Sequence, residues 1–314
     1  MPAIAAGAIK SGASFYWHLG DWRAIYNFDE DIEHQPEVLA KPLNIAGYED
    51  LAWKDFIANQ LMAFGTLPVY LAIGNHETIP PKTREDYLIQ FADWLESPSL
   101  REQRLADDPR DFQLKTYYHW IERGVDFIAL DNATLDQFDR SQMAWFEKTL
   151  QAAALNPQVR TVIVGSHKPL PESIALTHSM NESPDGVESG RRVYQDLLKL
   201  QNQSHKHVYL LASHAHYFMD GIFNTEYWRS HGGVLPGWIV GTAGAQRLPL
   251  PSESASARIA ETNVYGFLVG TIEPDGQAEF IFQHLQESDI PSSLVERYTP
   301  GFVHWCFAEN SVAH

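Results

Sequence analysis

Four short apolar runs end in side chains able to bind a metal or move a proton. They are Asp21 after "FYWHLGD", Asn75, His76 and Glu77 in "PVYLAIGNHE", His167 in "TVIVGSHKPL", and His214 with His216 in "VYLLASHAH". One histidine after a strand is ordinarily a hydrogen-bonded structural residue. Four segments with the same pattern point instead to a shared site, because ligands gather outside the carboxyl ends of strands in an open α/β sheet. His, Asp and Asn together make a mixed N/O ligand set, which suits Zn, Mn or Fe better than Ca. The two imidazoles of His214-Ala215-His216 share a side in an extended chain, and in a turn they can splay towards two adjacent ions. A carboxylate such as Asp21 can bridge two ions, and a pair ~3.5–4 Å apart activates a water and clamps a phosphoryl group.

Such a site needs strands to carry it. The four runs are joined by "VDFIALDNAT" (125–134) and "WIVGTAGA" (238–245), all of strand length, rich in β-branched or aromatic residues and without polar alternation. That is the pattern of strands covered on both faces. Helical spacing lies between several of them, in "YEDLAWKDFIANQLMAF", "RSQMAWFEKTLQAAAL" and, more weakly, "GRRVYQDLLKLQNQ". The opening "AIAAGAIKSG" also reads as helix. The alternation predicts an α/β fold with helices layered around sheet. Two long polar stretches, 28–47 and 177–190, follow strands with reactive ends and are expected to wall the site. Near the C-terminus "EPDGQ" reads as a hairpin turn. No repeat or low-complexity linker divides the chain, so residues 1–314 are expected to form one domain, with core motifs in 15–245 and C-terminal strands and tail in 246–314.

Composition narrows the partners. Forty acidic residues against 23 basic ones give a formal charge of −17, with no Lys/Arg block to offset it. Such a surface repels extended nucleic acid, while a small phosphorylated ligand held by a local positive site remains compatible. The single cysteine, Cys306, rules out an intrachain disulfide and a cysteine-rich metal site. No segment reaches the apolar length of a membrane span.

"GDW" at Gly20-Asp21, "GNHE" at Gly74–Glu77, the isolated His in "VGSHKPLP" and "SHAH" at Ser213–His216 resemble, in this order, the motifs of the calcineurin-like metallophosphoesterases, a superfamily that includes the purple acid phosphatases. These blocks span residues 15–216. The resemblance implies two facing mixed β-sheets flanked by helices, and hydrolysis of phosphate mono- or diesters by a metal-bridging hydroxide. It implies that Asp21 is the bridging carboxylate, that Asn75, His167 and His214 complete one metal site, and that His216 belongs to the other. His76 would be no ligand; it would stand by the leaving-group oxygen as acid or charge stabiliser. Two divalent or Fe-type ions (Mn, Zn or Fe) are implied. "GTAGAQR" is similar to a glycine-rich loop behind the metal site, and Ser213 stands where the family has glycine.

The chain also departs from this pattern. The family opens with a strand ending in Asp-x-His, which supplies ligands to the His216 site, and no such pair precedes Asp21. His18 lies within the strand and reads as a sheet side chain. Ala24 stands where the purple acid phosphatases have a metal-bound Tyr. We expect that the reading frame starts after the first strand, in preference to a site rebuilt from Asp29, Asp31 or His34 in "NFDEDIEH". The chain is then expected to retain mainly one ion, on Asp21, Asn75, His167 and His214, and to have uncovered sheet edges, poor solubility and weak hydrolysis. The alternative function is a metal-binding or interaction module, catalytically impaired. Arg23 is read equally as a phosphate contact or as an ion pair with Asp29, Glu30 or Asp31. His178 can face substrate. His119, Asp131, Tyr117, Tyr118 and Trp120 are read as structural.

Overall fold

The computed structural model describes residues 1–133 and 137–312; Thr134, at the end of the expected run 125–134, and the last two residues of the tail lie outside the described residues. The apolar runs become strands. They are β1 (Tyr16–His18), β2 (Val69–Leu71), β3 (Tyr118–Glu122), β4 (Val125–Leu130), β5 (Thr161–Ser166), β6 (His207–Ala212), β7 (Phe218–Asp220), β8 (Gly237–Val240), β9 (Ile259–Glu261), β10 (Tyr265–Ile272) and β11 (Ala278–Leu285). Seven form one mixed sheet in the order β3-β4-β5-β6-β8-β7-β9. Its centre, β4-β5-β6-β8, is parallel, and β3, β7 and β9 run antiparallel to their neighbours.

Side-chain alternation along each strand splits the core between the two faces of this sheet. Val162 and Val164 of β5 and Leu210 of β6 pack with Phe146, Leu150, Tyr194 and Leu197 from the helices Arg140–Leu155 and Pro184–Ser204. Ile163, Tyr209, Phe127 and Trp238 point the other way, against Phe15, Trp17, Tyr70, Leu268, Phe280 and Phe282. Those partners come from the second β layer and its approach. A third cluster, with Trp53, Phe56, Phe64, Tyr87 and Phe91 around Leu71 and Ile73, covers the outside of β2. The order is helix, large sheet, smaller β layer, helix.

The smaller β layer is divided. β1 and β2 form a parallel ribbon, β10 and β11 an antiparallel one closed by the expected turn, where the Glu273 N–H donates to the Gln277 carbonyl at 2.8 Å. Among the described residues β1 pairs only with β2, and β10 only with β11. Between them runs a cavity of about 980 Å³, bordered by Trp17, Leu19, Leu268, Ile163, Val240 and, from the expected helix at Pro2–Lys10, Ile4.

Two local expectations are revised. The Pro184–Ser204 helix begins within what reads as loop, because the Ser183 hydroxyl caps it by accepting from Gly186 N and Pro184 suits its first turn. Gly190 sits inside that helix because a Cβ there would overlap Pro171. The stretch 28–47 contains two short helices, Glu30–Glu33 and Pro36–Ala40.

His119 is structural, as expected, and its setting is charged. Its Nδ1 lies 2.7 Å from Asp126 and its Nε2 2.6 Å from Asp107. Burial opposes the imidazolium, but the two carboxylates prevail and push the pKa up to about 9. A pKa raised on folding gives stability that is full below the unfolded value near 6.5 and lost as pH rises through about 9. Urea unfolding should therefore show roughly 1–3 kcal/mol less stability at pH 9.5 than at pH 6.5. His119→Gln should flatten that slope.

Candidate metal centre

The parallel register of β1 and β2 sets their carboxyl ends side by side, and each strand leads into a glycine turn. Gly20 has φ 94° and Asp21 φ 59°. A Cβ on Gly20 would overlap the Gly74 backbone, and one on Gly74 would overlap Asp21. The two turns pack backbone to backbone, which only glycine allows. Glu77, fully buried, clasps them together: its carboxylate accepts from Asp21 N (2.8 Å), Gly74 N (2.8 Å) and Trp22 N (2.9 Å). Burial and then the Asp21 charge push its pKa up to about 7, against the pull of these three N–H groups.

The large sheet delivers the histidines. Ser166 of β5 is level with Ala212 of β6, so His167 and His214 emerge at the same end. His214 takes φ 61°, like Asp21 a left-handed backbone that costs an L-residue about 1–2 kcal/mol. His167 Nδ1 donates to the Leu19 carbonyl at 2.9 Å, and the Ser213 hydroxyl donates to the same oxygen at 2.9 Å. These bonds fasten the large sheet to the β1 turn. Serine at position 213 thus adds a tie between the β layers.

The donor chemistry at this point fits a cation. With Nδ1 of His167 donating, its Nε2 faces Asn75 Oδ1, Asp21 Oδ2 and His214 Nδ1, each at 2.9 Å. Four lone pairs aimed at one point repel unless a positive charge stands among them. Without metal, a proton on His167 can do this: burial lowers its pKa, but the Asp21 carboxylate raises it on balance. Asp21 itself is held well below the usual carboxylate range despite its burial, chiefly by His167. Burial lowers His214 to about 4, so it is neutral and free to ligate. Ligand atoms of Asp21, His167 and His214 all lie within 4.8 Å of one another. A metal there would displace the His167 proton.

His76 and His216 flank this group. The His76 backbone N–H donates to Asp21 Oδ1 at 2.9 Å, its Nδ1 to the Ala24 carbonyl at 2.7 Å, and its Nε2 stands 3.9 Å from Asp21 Oδ2. His216 donates through Nδ1 to the Gln246 carbonyl at 2.6 Å, inside the glycine-rich stretch 241–247. Gly241 permits that approach, since a Cβ there would overlap the Ala215 carbonyl. His216 is not among the three residues whose ligand atoms converge.

The proposed substitutes for missing ligands lie elsewhere. His18 faces the helical layer against Trp22 and Phe56, accepts from Gly20 N at 3.1 Å, and is kept neutral by burial, which lowers its pKa to about 3. Asp29 and Asp31 surround Arg23, which also pairs with Asp55. That settles Arg23 as a buried ion pair rather than a phosphate contact. His34 stacks on Phe302. His178 does reach the site, its ring 5.7 Å from that of His214. Sequence reasoning grouped Glu77 with residues that bind metal or move a proton, whereas its carboxylate is spent on three backbone N–H groups. It passed over Tyr26, whose ring lies 5.3 Å from the His76 imidazole. Buried Ile25, at φ 68°, precedes it.

The family model for calcineurin-like phosphoesterases matches residues 3–218. The chain belongs to this family. Members of the calcineurin-like phosphoesterases are metal-dependent, in keeping with the donor set described above. Among solved structures, a purple acid phosphatase isolated from yellow lupin (Lupinus luteus) seeds shares the fold, with TM-score 0.58 and 15% identity over 90% of this chain. The alignment takes in 46% of the lupin chain, so this chain spans about half of that protein's length. No curated protein matches it. Among the described residues, no helix is long and apolar enough to cross a membrane.

Glu77→Gln should place an amide NH₂ among N–H donors that need acceptors. Metal affinity should fall about 10–100-fold, as for lost partners that orient metal ligands, measured by calorimetric titration with Zn²⁺ or Mn²⁺. Glu77→Asp should fall between the two.

Proposed function

We propose that the chain hydrolyses small phosphate mono- or diesters with the help of bound metal. The observation that carries this reading is the convergence of Asn75 Oδ1, Asp21 Oδ2 and His214 Nδ1 on His167 Nε2, each 2.9 Å away. In this reading Asp21, Asn75, His167 and His214 hold one ion of the Mn, Zn or Fe type, and His216 with Asp21 serves a second. Ions bound there supply Lewis-acid charge for a phosphoryl group and lower the pKa of water. The protein's own groups orient and neutralise. Asp21 is fixed through its backbone by Glu77 and through one oxygen by His76 N, which leaves the other oxygen for the ligand cluster. His76 is oriented by the Ala24 carbonyl so that Nε2 is free to face the ester, where it can protonate or stabilise the leaving oxygen.

A second reading is a metal-holding interaction module with little turnover. It is favoured by His216 standing outside the convergent group, with a backbone carbonyl as its partner. The two part on one experiment. Protein loaded with Mn²⁺, Zn²⁺ or Fe²⁺ is assayed with a phosphate monoester and a diester, while bound metal is counted. Hydrolysis that falls about 10²–10⁴-fold in His76→Ala, at unchanged metal content, supports the hydrolase. Metal binding without turnover in any loaded form supports the module.

A further inference from the structure

We propose that Tyr26 is a platform for a planar aromatic leaving group, so that the substrates this site prefers are phosphoesters of aryl or heteroaryl alcohols; this rests on the hydrolase reading above. The chain reaches Tyr26 through a turn built to hold it. Ile25 is fully buried at φ 68°, a backbone region that β-branched residues avoid. The surroundings enforce it. Ile25 N donates to the Tyr48 hydroxyl at 3.1 Å, that hydroxyl donates to Asp29 at 2.5 Å, and the other Asp29 oxygen accepts from Ala24 N at 3.1 Å. Strain maintained by such a network is the kind that accompanies functional geometry.

Its effect is to bury Ile25 and turn the next side chain outward. Tyr26 is 63% exposed, an unusual state for an aromatic ring held on so firmly bonded a turn. The same turn supplies the Ala24 carbonyl that orients His76. Tyr26 and His76 are therefore set by one piece of backbone, with ring centroids 5.3 Å apart and planes inclined by 34°. His76 in turn stands beside Asp21, Nε2 to Oδ2 at 3.9 Å. All three residues line one open pocket, and His76 is the link between them, next to Asp21 on one side and to Tyr26 on the other. An ester whose phosphoryl group lies at the cluster puts its leaving oxygen at His76, and the group beyond that oxygen meets Tyr26. A flat ring joined directly to the oxygen can stack there, and a saturated ring of the same carbon number cannot lie flush.

The test uses metal-loaded protein and two phosphonates, phenylphosphonate and cyclohexylphosphonate, titrated calorimetrically into the natural protein, Tyr26→Phe and Tyr26→Leu. The natural protein and Tyr26→Phe should prefer the phenyl ligand, and Tyr26→Leu should lose about two- to tenfold of that preference. An equal preference in all three proteins, or no binding of either ligand, overturns the proposal. Turnover of phenyl phosphate and cyclohexyl phosphate is measured in parallel. Phosphonate selectivity that depends on Tyr26 without turnover would remove the hydrolase reading and leave the platform. Turnover with no dependence of selectivity on Tyr26 would do the reverse.

Discussion

The grip of the Glu77 carboxylate on three backbone N–H groups is the interaction on which the rest of the centre depends. β1 and β2 pair over only three residues each, too few to fix the loops that follow. Glu77 does so by taking Asp21 N, Trp22 N and Gly74 N at once. Burying a carboxylate costs several kcal/mol, offset here by charge-assisted bonds from three donors. The neighbouring Asp21 carboxylate opposes the arrangement, and positive charge on His167 or at the ligand cluster relieves it. Folding of the two turns and charge at the site are thus one problem.

Some of the backbone strain falls where side chains must be aimed. Asp21, Ile25 and His214 all occupy the left-handed region, and each belongs to or adjoins a residue of the centre. Each is held by bonds from a different part of the chain: Glu77 for Asp21, Tyr48 for Ile25, and the strand ends of β5 and β6 for the turn at His214. At these three points the strain is borne where several elements restrain the chain together.

Much of this was legible in the sequence because strand and ligand arrive together. "GNHE" and "SHAH" follow buried runs, so the strand ends, the family and the residues that meet there could be read before any coordinates. Other features were not legible, because tertiary partners decide them. The two β1-side turns interlock through glycines that pattern alone cannot distinguish from ordinary turn glycines. Arg23 offered two equal readings until Asp55, far along the chain, proved to be its partner. The helix from Pro184 overrides a polar, loop-like composition because Ser183 caps it and Gly190 fits against Pro171. Tyr26 has no sequence signal of its own: its exposure follows from the burial of Ile25.

The divided β layer changes the medium beneath the centre. Among the described residues, the edges of β1 and β10 without a strand partner border the open cavity of about 980 Å³, and backbone N–H and C=O groups in such a place must find partners. Water entering the cavity is their available partner, beside walls that carry charged side chains such as Arg23 and Asp31 as well as apolar ones. Charge in a dry protein interior interacts several-fold more strongly than charge backed by mobile water dipoles. The ligand cluster therefore rests on a soft, polarisable floor on the β1 side and a rigid, apolar one on the side of the large sheet. Its electric field is lopsided, stronger towards the large sheet than towards the β1 side, where the exposed Tyr26 stands.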